Sequence, residues 1–222
     1  MGRVLAHIAT LDYEAVGLSD FGKPGNYFAR QLSRWSQQYR LSQFRTIDSM
    51  EWIMAWLEEH MPEDDGRTSL VHGDFRMDNL KYSSSSASDL PAKTKHKLIG
   101  VLDWELSTLG HPMADLANVC MQSRIPPGMA NMSGLAGKDI EALGIPSEEE
   151  FLATYSDRTG IPITNWPFYL SFGLFRIAAI LQGVARRAKD GNASNPMAAK
   201  LGDFVEPLAD IAVQVVKSEG ND

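Results

Sequence analysis

Apolar residues recur at helical spacing from the start of the chain, where Val4, Leu5, Ile8, Leu11 and Val16 predict an amphipathic helix running to a turn at Ser19–Gly25. A second helix is expected from about Asn26 to Arg40, carrying Trp35 and Tyr39. A third starts near Asp48 and ends before Pro62. Helical periodicity returns after Pro112 in MADLANVCMQ, and again in EEEFLATYSDR behind a Ser147 cap. Two long helices complete the chain. The first, Pro167–Lys189, is strongly apolar and closes on Arg186, Arg187 and Lys189, which compensate a helix C-terminus.

Between these helices the period shortens. Ser69–His72, Asn79–Tyr82 and Leu98–Leu102 are short, apolar runs that predict strands. The polar run of residues 83–97, Ser-rich and then Lys-rich, predicts an exposed loop. The pattern as a whole predicts an α+β fold, mostly α, with a small two- to four-stranded β element and residues 1–222 forming a single lobe.

Charge and composition narrow the partners. A formal net charge of −7 gives no basic field to attract nucleic acid or an anionic membrane. Cys120 is the single cysteine, so no internal disulfide forms, and its apolar neighbours mark it as buried filler. No segment is expected to be apolar for long enough to cross a bilayer, and no secretory or targeting pattern is visible. The expected setting is the cytoplasm or an organellar matrix, mitochondrial or peroxisomal.

The polar residues with chemical potential sit on two loops that follow apolar strands: VHGDFRMDNL (Val71–Leu80) and VLDWELSTLGHPMADLA (Val101–Ala117). Phosphoryl transfer from ATP needs a carboxylate to orient and deprotonate the attacking hydroxyl. It also needs hard oxygen ligands that hold Mg²⁺ against the phosphates. Kinases place an Asn five residues after the base and a further Asp after the next strand. Asp74 and Asn79 have that interval, Asp103 follows LIGVL, and His72 stands two residues before Asp74.

These three linked motifs, HGDFRMDN, VLDWE and HPMADLA, resemble the aminoglycoside phosphotransferase and choline kinase-like family, relatives of the protein kinases. Gly73 stands where protein kinases have Arg, and Asp103-Trp104-Glu105 replaces their DFG. The upstream text GLSDFGKPGNYFARQLSRWSQQY is similar to the kinase-like domain attached to some acyl-CoA dehydrogenases. The resemblance implies the C-terminal lobe of the protein-kinase-like fold, ATP as phosphate donor, Mg²⁺, and a small-molecule hydroxyl as acceptor. It implies Asp74 as catalytic base, Asn79 and Asp103 as ligands of Mg²⁺ and so of the nucleotide, and Asp115 and His72 as structural support. The dehydrogenase-linked branch suggests a hydroxyacyl thioester as substrate and an acyl-CoA dehydrogenase domain as partner.

Plainer readings stand beside this one. Asp78 reads as a solvated loop carboxylate, His111 as a turn residue, and Trp52 and Trp56 as core or groove wall. Trp166, Phe168, Tyr169 and Phe172 would line an acceptor pocket or belong to an ordinary core. His72, Asp74, His111 and Asp115 could alternatively form a metallohydrolase set. No G-x-G-x-x-G and no V-A-I-K-like strand is present, so an N-terminal nucleotide lobe is expected to be absent. A non-catalytic kinase-like binding module or a truncated isoform is the alternative function.

Overall fold

The computed structural model describes residues 1–83, 97–192 and 196–219. Its elements are α1 (Gly2–Ala9), α2 (Tyr27–Ser42), α3 (Asp48–Glu59), β1 (Ser69–Val71), β2 (Leu80–Tyr82), β3 (Leu98–Val101), β4 (Thr108–Gly110), α4 (Met113–Cys120), α5 (Glu148–Thr159), α6 (Trp166–Lys189) and α7 (Val205–Glu219). Most of the expected loop at 83–97 lies outside the described residues. Its two ends are tied, with Ser83 N–H donating to Lys97 C=O at 2.8 Å.

Helix α6 is the axis of the core. It packs against α2, α3, α4 and α7, and its Phe168, Leu170, Leu174, Phe175 and Ala178 are buried. Its length and hydropathy would suffice to cross a membrane, contrary to the sequence expectation, but 67% of its most apolar stretch is buried inside the chain. It is a core helix whose apolar surface is consumed by other helices. Phe28 of α2 meets Phe168, Tyr169 and Phe172 edge-on or tilted, with ring centroids 4.9–5.7 Å apart. These aromatics of α6 belong to the core.

Helix α5 starts at a capping box, Ser147 Oγ accepting Glu150 N–H at 3.1 Å while the Glu150 carboxylate accepts Ser147 N–H at 2.8 Å. Helix α1 is shorter than its apolar pattern predicts. Thr10 turns its hydroxyl back onto Ala6 C=O at 2.9 Å, and Asp12 accepts Ala15 N–H at 2.9 Å, so local side-chain bonds replace a further helical turn and leave Val16 exposed.

The four strands form two separate antiparallel pairs, β1 with β4 and β2 with β3. The register sets Val71 opposite Thr108 and Leu80 opposite Val101. Strand β1 enters the first loop and β2 leaves it; β3 enters the second loop and β4 leaves it. The two ladders therefore fasten residues 72–79 and 102–107 to each other at both ends. Two short sheets make a closed frame around the polar motifs.

Candidate active site

Within this frame the N–H and C=O groups of both Gly73 and Asp74 are held. Gly73 N–H donates to Asp115 Oδ1 at 2.9 Å, and His72 N–H donates to Asp115 Oδ2 at 2.6 Å. Asp74 N–H donates to His72 Nδ1 at 3.3 Å. Asn79 Nδ2 donates to Asp74 C=O at 2.9 Å, and Arg176 Nη2 donates to Gly73 C=O at 2.9 Å. Gly73 has φ +85°, and a Cβ there would lie 2.6 Å from Leu106 C=O. The second loop passes so close to the first that only glycine fits.

His72 is fully buried and links the two loops. Because its Nδ1 accepts from Asp74 N–H, its Nε2 carries the proton that bonds Leu102 C=O at 2.9 Å. Trp104 covers the imidazole, with centroids 4.6 Å apart, and its own Nε1–H is anchored on Val101 C=O at 2.8 Å. Asp115 lies at the first turn of α4, with both carboxylate oxygens engaged by backbone donors. Burial pushes its pKa up, opposed by the two backbone N–H groups and by the charge of Arg176.

The structure brings the Asp74 and Asn79 side chains together, Asn79 Nδ2 lying 3.3 Å from Asp74 Oδ2. That orientation turns Asn79 Oδ1 away from Asp74. Asp103 is tied to the same point through its neighbour, since Leu102 N–H donates to Asn79 C=O at 2.8 Å. Asp103 is exposed at φ +65°, a conformation rare outside glycine, which Asp tolerates better than most residues. Among the described residues no hydrogen bond or ion pair engages its carboxylate. Among the described residues the Asn79 amide oxygen likewise accepts no hydrogen bond, and an amide oxygen and a carboxylate are each ligand types that a hard cation such as Mg²⁺ accepts when phosphate oxygens and water complete its shell.

The metallohydrolase alternative finds no support in this geometry. Among the described residues no group of three or more His, Cys, Asp or Glu side chains is placed to hold a metal. Asp115 is spent on backbone donors. His111 is a buried brace, and a simple turn residue would not be: its Nδ1 accepts Met113 N–H at 3.2 Å, its Nε2 faces Asp65 Oδ1 at 3.4 Å, and its ring stacks on Tyr169. Asp78 is exposed and paired with Arg76.

Two features escaped the sequence reading. Arg176 reaches the loop from α6, and the only signal for it is a lone charge inside an apolar helix. The second is a cavity of about 600 Å³ beside Phe75–Asp78, whose surface is mainly apolar, from Met77, Val119, Leu135, Ile145 and Phe151 among others, with Arg3, Arg76, Asp78 and Glu148 also in its wall. Its walls come from several parts of the chain, so no single stretch announces it.

A mostly helical lobe that clamps a His-x-Asp loop against a strand-borne Asp loop is the C-terminal lobe of the protein-kinase-like fold. The sequence profile of the phosphotransferase enzyme family matches residues 1–168, and the chain belongs to that family. It is similar to a crystal structure of a candidate aminoglycoside phosphotransferase from Ralstonia eutropha JMP134. That match has a TM-score of 0.88 and 47% identity, covering 97% of this chain and 63% of the other. Among curated proteins it is 42% identical to mouse acyl-CoA dehydrogenase family member 10 over 221 residues, and 34% identical to mouse family member 11 over 220 residues. The chain spans 20% and 27% of the length of those two relatives. In them the lobe is one part of a larger protein.

Proposed function

We propose that this lobe transfers the γ-phosphate of ATP to a hydroxyl of a small molecule, with Asp74 as the base and Asn79 and Asp103 holding Mg²⁺. The single observation that carries this reading is the position of Asn79, whose amide nitrogen binds Asp74, leaving the amide oxygen free of it, and whose backbone carbonyl accepts from Leu102, the neighbour of Asp103. Mg²⁺ bound there would neutralise charge on the phosphate oxygens. Asp74 would accept the hydroxyl proton, while His72 and Asp115 keep its loop rigid. The ATP-covering lobe that kinases build separately lies outside residues 1–222 in this reading.

The acceptor we assign is a hydroxyacyl-CoA. An apolar cavity beside the residues that follow Asp74 suits an acyl chain better than a polycation. The relatives' names place such lobes in acyl-CoA dehydrogenase family members, and a dehydrogenase domain is the partner this reading assigns.

The test is ADP release and product mass from the full-length protein, offered hydroxyacyl-CoA, choline and aminoglycoside acceptors. Asp74→Asn should lower turnover by about 10²–10⁴, the usual worth of a positioned base, and leave Mg·ATP affinity nearly intact. Near-normal turnover in that variant removes Asp74 from the role.

A further inference from the structure

Arg176, half-buried, is the one charged residue between Trp166 and Ala185, a mostly apolar stretch of the core helix α6. A charge in such a place is costly unless it is engaged, so its contacts indicate what it is for. Its guanidinium donates to Gly73 C=O at 2.9 Å, across 103 residues of sequence. The same guanidinium lies over the Trp35 ring of α2, 5.7 Å from the centroid, and the Trp35 indole is itself fixed by Nε1–H donation to Gln31 at 2.9 Å. Arg34 approaches the same ring at 5.2 Å.

The backbone of Gly73 and Asp74 offers two donors and two acceptors. Asp115, His72 and Asn79 engage three of them, and all three belong to the motif loops. The fourth, Gly73 C=O, is held by Arg176 alone among the described residues. That carbonyl belongs to the peptide unit that leads directly into Asp74, so its rotation would swing the Asp74 carboxylate.

We propose that Arg176, held against Trp35, is a positioning residue for Asp74. It fixes the peptide plane before the base and ties it to helices α2 and α6. This rests on the reading of Asp74 as the base. No hydrogen bond or ion pair joins the guanidinium to the Asp74 carboxylate or to Asn79, so its effect belongs in the rate of transfer rather than in nucleotide binding.

The experiment uses full-length protein with Arg176→Met, Arg176→Lys, Trp35→Phe and Asp74→Asn. It reads ADP release with Mg·ATP and 3-hydroxybutyryl-CoA, and with water as the fallback acceptor. Arg176→Met should lower kcat by about 10–100-fold, the scale expected for a slight misplacement of a reacting group, with both KM values within about threefold. Arg176→Lys, which keeps one donor, should recover part of that loss, and Trp35→Phe should cost kcat a few-fold in the same direction. Unchanged kcat in Arg176→Met, with Asp74→Asn inactive, overturns the positioning role and leaves the base intact. If Arg176→Met does not fold, Arg176→Lys and Trp35→Phe decide: wild-type kcat in both overturns it. Turnover that survives in Asp74→Asn, or no Asp74-dependent ADP release in the parent protein, removes the base and the positioning role together.

Discussion

Asn79 binds Asp74 at two points, donating Nδ2 to its backbone carbonyl at 2.9 Å and approaching its carboxylate at 3.3 Å. The amide thereby closes the loop of four residues between them and fixes which of its own atoms faces away from Asp74. Asn79→Ala loses both the closure and the outward oxygen. We expect Mg·ATP affinity to fall at least about tenfold, with a higher Mg²⁺ concentration needed for half-maximal turnover. Calorimetric titration of Mg·ATP checks this. Affinity equal to wild type at low Mg²⁺ would show that Asn79 serves only the loop.

Gly73→Ala probes the closest approach of the two loops. The added Cβ would meet Leu106 C=O at 2.6 Å, and φ +85° disfavours any L side chain. The loops must separate or the backbone must turn, at a cost of about 1–3 kcal/mol for the strained conformation alone. A lower denaturation midpoint, with transfer reduced beyond what the stability loss explains, is the expected result. A variant as stable and active as the parent would mean that the frame yields without consequence.

The larger helices were legible because their apolar stripes follow one period over many turns: α2, α3 and α6 fall within about two residues of their predicted limits. Strand β4 was not, since Thr108–Gly110 is three residues long and ends on glycine, and only its pairing with β1 makes it a strand. Helix α1 was overdrawn because Leu11 and Val16 continue the spacing while Thr10 and Asp12 end the helix through their own side chains. For the candidate site, spacing singled out His72, Asp74, Asn79 and Asp103, and the family resemblance of HPMADLA added Asp115. Arg176 and the burial of His111 depend on contacts between distant segments, which no local pattern encodes.

Asp115→Asn keeps the shape of the side chain but replaces one acceptor with a donor. One of the two backbone N–H groups, from His72 or Gly73, would then face an NH₂ group inside the protein. Loss of a charge-assisted bond together with an unsatisfied buried donor should destabilise by about 2–3 kcal/mol. Urea unfolding monitored by tryptophan fluorescence would show a lower midpoint at unchanged slope. An unchanged midpoint would mean that the loop backbone finds other acceptors.

His111 gives the lobe a pH dependence whose sign follows from its surroundings. Its imidazole is packed between Phe28 and Tyr169, accepts Met113 N–H, and points Nε2 at Asp65, which is itself paired with Arg67. Burial pushes its pKa below the ordinary 6.5, and this outweighs the opposing pull of Asp65, with Asp64 also raising it and Arg67 lowering it. In the unfolded chain the same imidazole titrates near its ordinary value. Below about pH 6.5 the unfolded state therefore binds the proton first. The associated stability is complete above that pH and is lost as pH falls toward the folded-state pKa, at a limiting slope of about 1.4 kcal/mol per pH unit for one proton. His111→Gln, which cannot titrate, removes this contribution. Between pH 7.5 and 5.5 the wild-type Tm should fall more steeply than that of His111→Gln. Parallel declines would assign the acid sensitivity to other groups.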